Sequence, residues 1–245
     1  MKNYLLILIA TFSFQISAQH LPEKYNDFYN DLLFSEPKVR SKKLDKAIKK
    51  EPNEPWYYWM MASFQSIVGK EAEAVKSYEK AIALDPNFSA GHGSLARQLY
   101  TGEIPQYDKA LVHINKAIQL DPSEGYYFID RGNIYLAMKD YDRAMQNANL
   151  ASKNQADEIE VARLKIEILH QSGQKEALYQ FVKENDLSEE GTSFGTDFML
   201  KLASVYEEMG EKDKACQLYR YAVESFMIFD GKIPEHITEK LQKCE

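Results

Sequence analysis

Residues 44–53 read LDKAIKKEPN, residues 79–87 read EKAIALDPN and residues 115–123 read NKAIQLDPS. The prolines of these three stretches are 34 and then 36 residues apart. Self-similarity at such a period is typical of a solenoid, in which each repeat is one supersecondary unit that buries its apolar face against its neighbours. The period therefore predicts stacked repeats over at least the first half of the chain.

The start of the chain has the composition of a secretory signal peptide. Lys2 is basic, Tyr4 to Phe14 is an almost unbroken apolar run, and small residues follow at Ser17 and Ala18. These are the three parts of such a signal, so we expect residues 1–18 to be removed on export. The alternative is an uncleaved membrane anchor, which is disfavoured because the run is shorter than the ~20 residues that a span needs. No later stretch is apolar enough to predict a transmembrane segment.

The charge balance limits the class of partner. The chain has 30 basic and 37 acidic residues, and removal of Lys2 with the signal leaves a net charge of −8. A mildly acidic surface argues against the phosphate backbone of a nucleic acid as partner.

Two cysteines, Cys216 and Cys244, lie near the C-terminus of a chain that we expect to be exported. In an oxidising compartment such a pair is a candidate disulfide. Two unrelated thiols are the alternative.

The repeats carry a recognisable pattern of small and large residues. Residues 55–88 contain Tyr58-x2-Met61-Ala62, then Ala74-x3-Tyr78, then Ala81 and Pro86. This resembles the tetratricopeptide repeat, whose pattern is W-x2-L-G-x2-Y, then A-x3-F, then A and P. Similar patterns occupy residues 89–124 and residues 125–158. The resemblance implies an all-α, right-handed α-solenoid of about five helical hairpins.

The remaining segments match the pattern less closely. We expect residues 19–54 to form a degenerate N-terminal cap unit, which solenoids need at their ends. Residues 159–195 indicate a weak helical hairpin and a polar loop, and residues 196–229 indicate another repeat-like unit. Residues 230–245 are predicted to form a C-terminal capping helix.

No catalytic pattern is present in the sequence. The five histidines form no H-E-x-x-H pair, no cysteine cluster has a zinc spacing, and no P-loop or G-x-S-x-G turn occurs. His92 and His113 could meet across one hairpin, although packed or surface histidines are the preferred interpretation. We therefore predict no catalytic residues, no metal and no cofactor.

A binding groove is the stronger hypothesis. The family resemblance implies that the first helix of each hairpin lines a concave surface, and residues three and four apart share a helical face. Aromatic and Arg side chains dominate binding hot spots. The predicted partner-binding residues are Trp56, Trp59, Arg97, Tyr100, Tyr126 and Asn133.

Packing of the same aromatic residues on neighbouring helices is the alternative to a groove. The basic, Asn-rich clamp by which some family members hold a C-terminal carboxylate is not expected, because Trp59 and Gly93 stand where it needs Lys or Asn.

These observations favour an exported, non-enzymatic scaffold, periplasmic or associated with a bacterial outer membrane, that binds a protein or peptide. The alternative is an envelope enzyme or small-ligand-binding protein built on the same solenoid. The sequence leaves the oligomeric state open.

Overall fold

A computed structural model of the 245-residue chain describes residues 21–188, 195–229 and 233–244. The predicted signal peptide, residues 1–18, lies outside these described residues. Within them the structure has thirteen α-helices and no strand, which confirms the all-α fold of helical hairpins. The described residues divide into two compact units, with the boundary between Leu164 and Lys165.

The first unit consists of consecutive helical hairpins. After a short 3-10 turn, its helices are α1 (Asn26–Leu33), α2 (Pro37–Lys50), α3 (Pro55–Ile67), α4 (Glu71–Leu84), α5 (Ser89–Thr101), α6 (Tyr107–Leu120), α7 (Gly125–Ala137) and α8 (Tyr141–Lys153). Helix α9 (Glu158–Gln171) contains the boundary between the units. The predicted repeats at residues 55–88, 89–124 and 125–158 contain the hairpins α3–α4, α5–α6 and α7–α8.

The Asp-Pro motif ends the second helix of a hairpin. Helix α4 stops at Leu84, and Asp85 is extended, with φ −136° and ψ 98°, because the residue before a proline is disfavoured in the helical region. The Asp85 carboxylate then accepts a hydrogen bond from the Asn87 amide at 2.9 Å. Asp121 does the same for Ser123 after α6. The repeated stretch thus encodes the turn between units.

Small residues let the paired helices approach closely. The alanines that the repeat pattern of residues 55–158 predicts at the helix contacts are fully buried: Ala62, Ala74, Ala81, Ala96, Ala110, Ala117, Ala144 and Ala151. The equivalent Ala47 of the N-terminal hairpin is only half-buried. Larger side chains such as Ile114 and Ile134 fill the space between them. Close packing of this kind makes each hairpin sensitive to any added volume.

The N-terminal hairpin α1–α2 is closed by one arginine. Arg40 of α2 donates from Nε to the Leu32 carbonyl at 2.8 Å, and from Nη2 to the carbonyls of Leu33 and Ser35. These carbonyls lie at or just beyond the end of α1, where the helix leaves acceptors without partners of its own. The cap hairpin is therefore fixed even though it departs from the repeat pattern.

The second unit contains α10 (Lys175–Glu184), α11 (Thr196–Glu208), α12 (Lys212–Phe229) and α13 (Glu235–Gln242). A disulfide joins Cys216 of α12 to Cys244, just beyond α13. The Glu207 carboxylate of α11 also accepts hydrogen bonds from Tyr219 and Lys240. The last helix is thus held to the hairpin α11–α12 by one covalent bond and one charged group.

Hydropathy along the helices bears on membrane association. No helix in the described parts of the chain combines the length and hydropathy needed to cross a bilayer.

Candidate functional site

The first helices of the hairpins, α3, α5 and α7, bring most of the predicted binding residues together. Helix α5 contacts both α3 and α7, so side chains one repeat apart become neighbours. We call the half-buried members of the predicted set the first-helix face: Trp56, Arg97, Tyr100, Tyr126 and Asn133.

Trp59 does not belong to this face. Its side chain is only 1% exposed, and its Nε1 donates a hydrogen bond to Ser94 Oγ of the next first helix at 2.8 Å. The alternative of packing on neighbouring helices therefore holds for Trp59. The residue contributes to the core and to the junction between α3 and α5, and no ligand can reach it without unpacking that junction.

The Trp56 side chain is partly packed against other aromatic rings and partly exposed. Its ring centroid lies 4.6 Å from that of Phe88 and 5.5 Å from that of Trp59, both in edge-to-face arrangements. Tyr25, immediately before α1, packs on it at 6.0 Å. The cap hairpin thus covers part of the aromatic surface that the sequence predicts for the groove, and Trp56 retains only partial exposure.

A charged pair crosses from α5 to α7 at the centre of the face. Arg97 donates from Nε and Nη2 to the two carboxylate oxygens of Asp130, at 3.0 and 2.9 Å. Tyr100 donates to the same carboxylate at 3.1 Å. Such a bidentate arrangement is among the stronger charged hydrogen bonds in proteins. The network fixes the orientation of both Arg97 and Tyr100.

Burial sharpens the electrostatics of this network. Asp130 is 3% exposed, whereas a third of the Arg97 side chain reaches solvent. The carboxylate raises the pKa of Arg97, and burial, followed by Asp130, raises the pKa of Tyr100. Arg97 therefore stays charged and Tyr100 stays protonated at neutral pH. Because the positive charge is already paired, the face is close to neutral and is not built to capture an anion.

The remaining members of the face lie on α7. Tyr126 and Asn133 are both half-buried, and burial raises the pKa of the Tyr126 hydroxyl. The backbone amide of Tyr126 donates to the Glu124 carboxylate at 2.9 Å, which caps the start of α7. An aromatic ring and an amide are thus presented from one well-anchored helix.

Asp130 is not among the binding residues predicted from the sequence. One signal was present: Asp130 lies 33 residues after Arg97, almost one repeat, and opposite charges at that spacing on first helices become neighbours when the hairpins stack.

A second missed feature is a series of exposed apolar residues at the turns between the two helices of each hairpin. It comprises Phe34, Val68, Ile104 and Met138, which are 78%, 52%, 83% and 39% exposed. Their separations of 34, 36 and 34 residues repeat the period of the chain. These turn residues therefore occupy equivalent positions in four successive hairpins, separate from the first-helix face.

Comparisons with known proteins agree with this fold. The tetratricopeptide repeat family matches residues 57–88 and residues 197–226. The first match covers most of α3, all of α4 and the turn that follows, and the second covers nearly all of α11 and most of α12.

The chain is 32% identical over 106 residues to Hsp70-Hsp90 organizing protein 3 of Arabidopsis thaliana. The matched region is 43% of this chain but only 18% of that relative, so the chain corresponds to less than a fifth of the relative's length.

Two solved structures share the fold at low identity. PilW, described as a widely conserved type IV pilus biogenesis factor, superposes with a TM-score of 0.64 at 13% identity, covering 96% of this chain and 97% of that chain. YrrB, described as a TPR protein with an unusual peptide-binding site, gives a TM-score of 0.50 at 18% identity, covering 74% and 91%. The two family matches identify tetratricopeptide repeats at residues 57–88 and 197–226, and the solved structures share the all-helical fold over most of the chain.

Proposed function

We propose that the chain is an exported, non-enzymatic scaffold that binds an extended segment of a partner protein across the first-helix face. The observation that carries this proposal is the network of Arg97, Tyr100 and Asp130, which holds partly exposed aromatic and polar side chains in fixed positions on adjacent helices. Side chains fixed before binding lose little conformational entropy when a partner arrives.

The chemistry of the face indicates what kind of segment it accepts. Tyr100 and Tyr126 offer flat apolar surface with hydroxyl groups, and Asn133 offers one amide donor pair and one acceptor. Arg97 is already neutralised by Asp130. We therefore propose recognition of peptide backbone and apolar side chains in place of a terminal carboxylate. The similar proteins support a scaffold: one is an organizing protein for two other proteins and another has a peptide-binding site.

Export is part of the proposal. It rests on the signal-like sequence of residues 1–18 and on the disulfide between Cys216 and Cys244, since disulfides persist mainly in oxidising compartments. A periplasmic or outer-membrane-associated location follows if the source is a bacterium with two membranes.

The test is a selection of peptides on the full chain. A display library of unstructured peptides is panned on the protein, and the recovered peptides are measured against Tyr126→Ala, Asn133→Ala and the matched turn variant Ile104→Ser. We expect each face variant to weaken binding about tenfold, equivalent to about 1.4 kcal/mol, while the chain still unfolds cooperatively with a small loss of stability from the half-buried side chain. Ile104→Ser should bind like the unaltered chain.

Two outcomes would contradict the proposal. Failure to recover any saturable peptide would remove the peptide-binding function. Loss of binding in Ile104→Ser, with the face variants unaffected, would move the binding surface to the turns.

A further inference from the structure

Two histidines meet at a second place in the first unit, which shares no residue with the first-helix face. His92 of α5 and His113 of α6 lie with their Nδ1 atoms 3.0 Å apart and their ring centroids 5.2 Å apart. The sequence already allowed this meeting across the hairpin. In the structure the two Nδ1 atoms have a defined geometry in which both could serve as metal ligands.

The hydrogen bonds identify which nitrogens are available. His92 Nε2 lies 3.3 Å from the Pro86 carbonyl oxygen, which can only accept, so Nε2 carries the proton and Nδ1 presents a lone pair. His113 then donates from its own Nδ1 to His92. A backbone carbonyl that fixes the far nitrogen of a histidine is the usual outer-shell arrangement around metal ligands.

The pair opens into a cleft of about 520 Å³. Asn115, Lys116 and Gln119 of α6 line its polar side, and Asn115 Oδ1 is already held by Arg131 Nη1 at 2.8 Å. The cleft leaves room for water or a ligand atom beside the two rings. Within the described residues no group of three or more histidine, cysteine or acidic side chains is placed to hold a metal ion, so any site here consists of two nitrogens and open positions.

We propose that His92 and His113 bind one divalent late transition-metal ion, such as Zn²⁺, Ni²⁺ or Cu²⁺, through their Nδ1 atoms. Imidazole nitrogen suits these ions. With metal–nitrogen distances of about 2.0–2.1 Å, two ligands at a right angle are about 2.9 Å apart and two at a tetrahedral angle about 3.3 Å apart. The observed 3.0 Å falls within that interval, and each ring must turn so that its Nδ1 lone pair points to the ion and no longer to the other ring.

Binding requires no net loss of a proton from neutral rings. The His113 proton moves from Nδ1 to Nε2, and both Nδ1 lone pairs then point to the ion. Burial lowers the pKa of His92 and of His113, which keeps the rings neutral at pH 7.5.

Two charged residues near His92 have opposite effects on the binding of a positive ion. Lys116 acts on His92 as a repelling positive charge and Asp85 as an attracting negative one. We therefore expect a moderate affinity that removal of the Lys116 charge would increase.

Calorimetric titration of the full chain, without a polyhistidine tag, with ZnCl₂ at pH 7.5 tests the proposal. The expected result is saturable binding of one ion per chain, weakened at least tenfold in His113→Ala and unchanged in the matched variant His170→Ala. Lys116→Gln should tighten binding about two- to fivefold, because it removes a nearby like charge. Absence of one-to-one binding, or equal loss in the two histidine variants, would overturn the proposal.

A second measurement does not depend on any substitution. Paramagnetic Cu²⁺ added to the unaltered, isotope-labelled chain should broaden the NMR signals of residues around His92 and His113 at the lowest metal-to-protein ratios. Initial broadening elsewhere in the chain would overturn the assignment of the site.

Discussion

The charged pair at the centre of the first-helix face gives a quantitative prediction. In Asp130→Asn the side chain keeps its size but loses its charge, and its new amide group faces a donor of Arg97. Removing one partner of a fully buried ion pair costs about 3–5 kcal/mol. One third of the Arg97 side chain is exposed, so its freed charge regains part of its hydration. We therefore expect a loss of about 2–3 kcal/mol, at the upper end of the range for a charged hydrogen bond.

The assay uses a property of the sequence. The chain has two tryptophans, Trp56 and Trp59, and both lie on α3 of the first unit, so tryptophan fluorescence reports the unfolding of that unit. With a urea dependence of about 2 kcal/mol per M, Asp130→Asn should lower the urea midpoint by about 1–1.5 M. Arg97→Met should also destabilise, and the double variant should cost less than the sum of the two, by about 1.5 kcal/mol.

Two results would contradict this prediction. A midpoint shift below about 0.3 M for Asp130→Asn would mean that the pair contributes little to stability. Additive effects in the double variant would mean that the two side chains act independently, and the fixed orientation of Arg97 and Tyr100 would lose its basis.

Three further predictions concern other parts of the chain. Lys139 has φ 60°, whereas Gly69, Gly173 and Gly210 hold the same turn position with φ 73–80°; Lys139→Gly should raise the free energy of unfolding by about 0.5–1 kcal/mol, measured by urea titration. Reduction of the disulfide should destabilise the second unit by roughly 3.5 kcal/mol on the chain-entropy account, measured by thermal unfolding with and without reductant. Acidification should weaken the first unit through His92 and His113, measured as the urea midpoint at pH 7.5 and pH 5.

The sign of the pH effect follows from linkage. Burial lowers the folded pKa of both histidines below the ordinary value, so the unfolded chain takes up protons first as the pH falls. The two histidines make their full contribution to the free energy of unfolding above about pH 6.5. That contribution is lost as the pH falls from about 6.5 to the folded pKa values. Between pH 7.5 and pH 5, the urea midpoint of His113→Ala should fall by less than that of the unaltered chain.

Controls separate these effects from general damage. Lys153, the last residue of α8, does not have a positive φ, so Lys153→Gly should destabilise where Lys139→Gly stabilises. Two alkylated thiols in denatured, unreduced protein would rule out the disulfide. An equal loss at pH 5 in His113→Ala and in the unaltered chain would assign the pH effect to other groups.

The fold was largely predictable from the sequence because the same residue pattern recurs in each repeat and predicts the same helix packing each time. In each Ala-Ile stretch that precedes an Asp-Pro turn, the alanine lies at a helix contact. The proline that ends the helix follows five residues later in each case. The burial of Ala81 and Ala117 and the end of α4 at Leu84 follow directly. The boundary between the two compact units, which lies within α9, could not be predicted from the sequence, because residues 158–171 form a continuous helical pattern.

The candidate site was predictable only in part, because a first helix in a solenoid has more than one buried face. Helix α3 packs on its own hairpin partner, on the next first helix and on the cap hairpin. A helical spacing of three and four residues groups Trp56 with Trp59 but does not tell which neighbour covers each ring. Tyr29 packs on Trp59, with ring centroids 6.3 Å apart, and that contact depends on a cap unit whose own pattern is degenerate.

Partner specificity is expected farther along the chain than α3. At α3 the aromatic side chains are shared with the cap, so they contribute mainly to stability. At α5 the positive charge of Arg97 is satisfied by Asp130. On α7, Tyr126 and Asn133 are half-exposed. Neither belongs to the charged pair, although the Asn133 side chain hydrogen-bonds with Tyr100 and Tyr126 with the Asp157 backbone. Exchanges on α7 should therefore change which partner binds, whereas exchanges on α3 should first change whether the unit folds.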